Sequence, residues 1–126
     1  MNKILVKDNG VKGYGSNIIV NRDFAQSYSD VVKRFLRASR RGWELALTNP
    51  DKAVAVLKKR HPETDAKVAL ATLKEQLRWL HVDGGPSKIF TQSEGRWNEI
   101  LATYQSLDMI KKIPQLSEVF SNQYLD

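Results

Sequence analysis

The sequence contains no cysteine, which removes disulfides, thiolate metal ligands and cysteine nucleophiles together. Histidine is scarce as well: His61 and His81 are the only two, and neither has a carboxylate or a second imidazole at metal-ligand spacing on its own helix. No metal and no cofactor are expected. There is no Ser-His-Asp order and no paired-carboxylate motif, so the residues make no positive case for catalysis. Long apolar runs are missing too; none approaches the roughly 20 residues of a membrane span. The opening MNKILVKDNG lacks the extended apolar core and cleavage site of a signal peptide. Internal repeats and low-complexity segments are likewise absent.

What is there fits an ordinary globular chain. Its 126 residues are one domain by length, and 41% apolar with 27% charged residues is too apolar a mixture for disorder. Twenty Lys and Arg against 14 Asp and Glu give a formal charge of +6, which brings polyanions into consideration as partners.

Glycine is concentrated at the front, where Gly10, Gly13 and Gly15 precede Ile18, Ile19 and Val20. A phosphate-binding loop feeds a helix N-terminus, whereas an apolar, β-branched run follows here, and the spacing G-x-x-G-x-G is not that of a dinucleotide fingerprint. The stretch therefore reads as a glycine-rich crossing between two strands, residues 3–7 and 16–20, the second apolar enough for burial on both faces of a larger sheet.

Beyond residue 21 the pattern turns helical. A short turn is expected at 23–28, then a long helix at 29–48 with Ser29 as its cap and Val32, Phe35, Leu36, Trp43, Ala46 and Leu47 on its apolar face. Asn49 caps the next helix, with Pro50 at its first position, Asp51 complementing the dipole and Lys58, Lys59 and Arg60 at its end before His61-Pro62. Thr64 or Asp65 starts a third helix, which Asp83-Gly84-Gly85-Pro86 terminates. Residues 88–90 read as a short extended piece, Thr91 or Ser93 opens a fourth helix, and the tail carries a last short one. Glu63 and Asp65 are explained by capping, and His61 by the preference for a cation at a helix C-terminus; His81 reads as packed or capping.

Lys33, Arg34, Arg37, Arg40 and Arg41 share the helix face opposite Phe35 and Trp43. Such a face can lie along phosphates, but it is also the ordinary solvated side of an amphipathic helix. Asp30 and Glu44 are placed for pairing with it, and no Asn or Gln is present for base readout. Trp43, Trp79, Trp97 and Tyr104 fall on apolar faces and are expected in cores. Tyr14 differs, standing among glycines beside Ser16 and Asn17, where an aromatic face and two polar side chains can meet a small ligand.

Four segments taken in order, DNGVKGYGSNIIVNRDF, RFLRASRRGWELALTNPDKAV, GRWNEILATYQSLDMIKK and FSNQYL, resemble the C-terminal portion of the solute-binding proteins of ABC importers for alkylsulfonates, nitrate, taurine and thiamine-pyrimidine precursors. The resemblance implies an α/β, mostly helical chain: a partial lobe of the periplasmic-binding-protein type, two N-terminal strands followed by four or five helices. Residues 1–126 would be a single partial domain, 1–21 forming a hinge and strand segment and 22–126 the helical part. It implies a non-enzymatic protein whose ligand site includes Tyr14, Gly15, Ser16 and Asn17, with a small-molecule solute and an ABC permease as partners. The location is periplasmic or extracytoplasmic if the parent is exported. Family members are considerably longer, so the expectation is a truncated or split component that binds weakly alone and forms a homodimer to cover exposed sheet edges. The competing expectation is a small basic helical nucleic-acid-binding protein built on the cationic face of residues 33–41.

Overall fold

The computed structural model describes residues 10, 13–79 and 88–125 of the chain. These form six helices: α1 (Arg22–Ser27), α2 (Ser29–Thr48), α3 (Pro50–Arg60), α4 (Ala66–Trp79), α5 (Glu94–Ser106) and α6 (Leu116–Val119). Side-chain caps place most of their starts. Asn21 Oδ1 accepts from Phe24 N at 3.0 Å to begin α1, and Asn49 Oδ1 accepts from Lys52 N at 2.9 Å to begin α3, with Pro50 in the first turn. Asp65 Oδ1 accepts from both Lys67 N at 2.8 Å and Val68 N at 3.0 Å ahead of α4. Ser93 Oγ takes Arg96 N at 3.3 Å ahead of α5, and in α6 the Glu118 carboxylate reaches back to Gln115 N at 3.2 Å.

One cap is not where the sequence puts it. Ser29 lies inside α2, and the boundary residue is Tyr28, which ends α1 and starts α2 without a side-chain cap. Its carbonyl accepts from Val31 N and Val32 N, so the chain passes from one helix to the next through a single non-helical residue. A one-residue junction leaves no room for a separate capping position.

The α/β expectation is overturned, although the mostly helical character stands. Among the described residues there is no strand. Residues 3–7 lie outside the described residues, as does the breaker cluster at 83–86. Residues 16–20 run without turn or bend into the cap at Asn21, and their backbone pairs with no other backbone among the described residues. Their β-branched composition is suited to a strand, but a strand exists only when a second one accepts its hydrogen bonds. The apolar run is also solvent-facing, with Ile18 45%, Ile19 92% and Val20 40% exposed, contrary to burial on both faces. Residues 88–90 are likewise not extended: Thr91 N bonds Lys88 O at 2.9 Å, closing a turn in which Phe90 takes φ 73°.

Packing divides between two clusters. α3 lies against both α2 and α4, with Val32, Ala46 and Val54 buried. α2 and α4 touch only sparingly, which leaves an open apolar groove of about 570 Å³ bordered by Trp43, Ala46, Val54, Leu57, Ala69 and Leu73. The second cluster gathers α5 and α6, with Ile100 and Leu101 buried; Ile89, only 1% exposed, is the most enclosed large side chain described. Tyr104, expected in a core, is 43% exposed. The side chain of Trp79 and all of His81 lie outside the described residues.

Candidate functional site

The four residues expected to meet a ligand, Tyr14, Gly15, Ser16 and Asn17, precede α1, and two of them are tied to the start of α5. Ser93 N donates to the Tyr14 hydroxyl at 2.7 Å, and Gln92 Nε2 donates to Asn17 Oδ1 at 2.8 Å. These bonds join parts of the chain 79 and 75 residues apart. They can form because Ser93 is the cap of α5: its side chain serves Arg96 N inside the helix while its own N–H points outward.

Gln92 is the hub. Its side-chain oxygen accepts from Trp97 Nε1 at 2.8 Å, its backbone N–H donates to Asn122 Oδ1 at 3.1 Å, and its carbonyl accepts from Asn122 Nδ2 at 2.7 Å. The Asn122 amide thus completes a reciprocal pair with the backbone N–H and C=O of one residue, as a neighbouring antiparallel strand would. With Asn17 included, every polar group of the Gln92 side chain that appears in these contacts has a protein partner.

Aromatic rings continue the assembly. Tyr14 lies 5.6 Å from Trp97 at 43°, and Trp97 stacks on Phe120 at 6.0 Å and 15°. The Arg96 guanidinium stands 5.3 Å from the centre of the Tyr14 ring. Arg96 is exposed, so the arrangement offers a cation and a half-buried phenol on one rim, suited to a small anion or a polar group on a compact molecule. Gly15 and Ser16 sit between the two anchors, exposed. A side chain at Gly13 or Gly15 would meet nothing within 4 Å, so neither glycine is required here by a close approach.

The structure therefore brings together Tyr14 and Asn17, while Gly15 and Ser16 remain open beside them. It adds Gln92, Ser93, Arg96, Trp97 and Asn122, which sequence reasoning did not connect with the site. Ser93 and Trp97 are legible only as a helix cap and an apolar-face residue. No local pattern links Gln92 to Asn122 or either to the glycine-rich stretch; the resemblance in FSNQYL touches Asn122 without giving it a role.

On α2, Arg34 Nη2 pairs with Asp30 Oδ2 at 3.0 Å, the i,i+4 contact expected of a solvated cationic face. His61 closes α3 and its Nδ1 lies 3.4 Å from Glu63 Oε1, both exposed. Among the described residues no cluster of three or more His, Asp or Glu is placed to hold a metal, and no helix is long and apolar enough to cross a membrane.

The family model described as NMT1/THI5 like matches residues 1–53. Those 53 of the 126 residues include Tyr14, Gly15, Ser16 and Asn17, together with α1 and α2, and over that part the match supports the resemblance to solute-binding proteins. No curated protein and no solved structure matches the chain significantly.

Proposed function

We propose that this chain is one part of the solute-binding component of an ABC importer, non-enzymatic, and that Tyr14, Gly15, Ser16 and Asn17 form one rim of its ligand cleft. The observation that carries this reading is the family match over residues 1–53, which contains the whole of that rim. The geometry adds support: Tyr14 and Asn17 are held by α5, and Arg96 stands over the Tyr14 ring. The solute is small and polar or anionic, of the sulfonate, nitrate, taurine or aminopyrimidine kind, because a guanidinium, a phenol and a free serine hydroxyl recognise such groups. A single rim encloses little of a ligand, so affinity of this chain alone is about millimolar, or roughly 4 kcal/mol of binding free energy. The full component would deliver its solute to a permease.

Titration followed by amide NMR tests this. Taurine, an alkylsulfonate, nitrate and an aminopyrimidine are added separately at concentrations up to about 20 mM, sufficient to populate a millimolar site. One of them is expected to shift the amide signals of Tyr14, Gly15, Ser16 and Asn17 together with Arg96, and Arg96→Ala should remove the response. If none of the four moves those signals, or if the shifts fall in the groove between α2 and α4 instead, the assignment of this rim is wrong.

A further inference from the structure

The large exposed apolar side chains include a group that follows the chain from residue 18 into α2. Ile18, Ile19 and Val20 lead into α1, where Phe24 is 43% exposed and its ring lies 5.0 Å from that of Tyr28, itself 53% exposed. Tyr28, Val31 at 37% and Phe35 at 57% then follow at helical spacing along one side of α2. At about 200 Å² per aromatic side chain, the three rings alone leave roughly 300 Å² in water, and the four aliphatic side chains bring the patch to roughly 600 Å². That is the upper end of what a monomer ordinarily exposes in one piece.

We propose that a second copy of this chain covers the patch, the two copies pairing residues 18–20 antiparallel about a two-fold axis, clear of the Tyr14–Asn17 rim, with the Phe24, Tyr28, Val31 and Phe35 surfaces packed on either side. Three observations select this occupant. The backbone of Ile18, Ile19 and Val20 makes no hydrogen bond among the described residues, so it presents the unpaired donors and acceptors that an identical segment satisfies in antiparallel register. The segment runs directly into α1, which carries Phe24, so pairing and ring packing would occur in one contact and an isologous arrangement uses the same residues twice. Roughly 600 Å² from each copy gives about 1,200 Å² in total, the lower limit of a specific interface, whereas either the segment or the rings alone would fall short. An interface of this size with +6 on each partner is weak and is strengthened by salt, since screening relieves the repulsion between copies.

Sedimentation equilibrium over about 1–500 µM tests this, the range in which an interface at that size limit dissociates. The mass is expected to rise from 14.4 kDa toward twice that value, with the midpoint moving to lower concentration as salt is raised. Ile19→Lys, at a position 92% exposed and so without cost to the monomer fold, should weaken association at least about tenfold by placing a charge at the centre of the contact. Phe35→Lys should do the same from the other end of the patch. Val68→Lys, on α4 and 60% exposed, should leave it unchanged. Hydrogen exchange at Ile18, Ile19 and Val20 should slow as concentration rises. A chain monomeric throughout, or an Ile19→Lys variant that associates like the parent, overturns the proposal; neither result bears on solute binding at Tyr14.

Discussion

Replacing Asn122 by alanine is the most direct probe of how the candidate site is held together. The Asn122 amide makes two bonds to the Gln92 backbone, accepting from its N–H at 3.1 Å and donating to its carbonyl at 2.7 Å, and both are partly buried. Each such bond contributes about 0.5–1.5 kcal/mol net, and alanine removes both while leaving the two backbone groups of Gln92 without these partners, so the cost is about 2 kcal/mol. For a domain of this size that corresponds to a fall in melting temperature of about 8 °C. The effect should also be local: in native-state hydrogen exchange the Gln92 amide loses its protection, and Ser93, whose N–H is held by Tyr14, follows it. Thermal unfolding by circular dichroism measures the first and exchange followed by NMR the second. A melting temperature within about 2 °C of the parent would mean that water replaces the Asn122 amide without cost. The clasp would then have no energetic role, and the placement of Tyr14 and Asn17 would need another cause.

Substitutions at three further positions test the helix and core assignments by chemical denaturation. Ile89→Ala removes the most enclosed aliphatic side chain described and should cost about 2–4 kcal/mol, depending on how far the surroundings collapse. Asn49→Ala deletes the bond to Lys52 N that starts α3 and should cost about 1 kcal/mol, whereas Asn49→Gly should cost only a few tenths. Asp108 takes φ 54° just beyond α5, where Asp108 N bonds Gln105 O at 3.0 Å and Met109 N bonds Tyr104 O at 2.9 Å. This is the left-handed helix stop that glycine adopts without steric cost, so Asp108→Gly should stabilise by about 0.5–1 kcal/mol; a destabilised variant would mean the aspartate side chain contributes something these contacts do not include.

The parts of the fold legible in the sequence are those fixed within a few residues. Asn49 with Pro50, Asp65 with the two amides beyond it, and Ser93 all begin helices where the residue types indicate, because a cap is satisfied by N–H groups two or three positions away. No residue type marks the end of α5, because aspartate stands where glycine would announce the left-handed turn. The strand at 16–20 failed for the opposite reason: its composition says only that the segment is suited to a sheet, and whether a partner strand exists is not a local property.

The candidate site divides along the same line. Tyr14 and Asn17 are visible as an aromatic and an amide among glycines, but what they touch is decided 75 and 79 residues further on, by Gln92 and Ser93. Side-chain amides and hydroxyls at such separations carry no periodicity, so nothing in the sequence distinguishes Gln92 from an ordinary loop glutamine. Yet that residue links the glycine-rich segment, the cap of α5 and Asn122 near the end of the chain. A rim assembled from three distant segments can move only if bonds between them break together. The Gln92 side chain therefore ties Asn17 to Trp97, which stacks on Phe120, and any displacement of Tyr14 from Ser93 N leaves that amide in need of another acceptor.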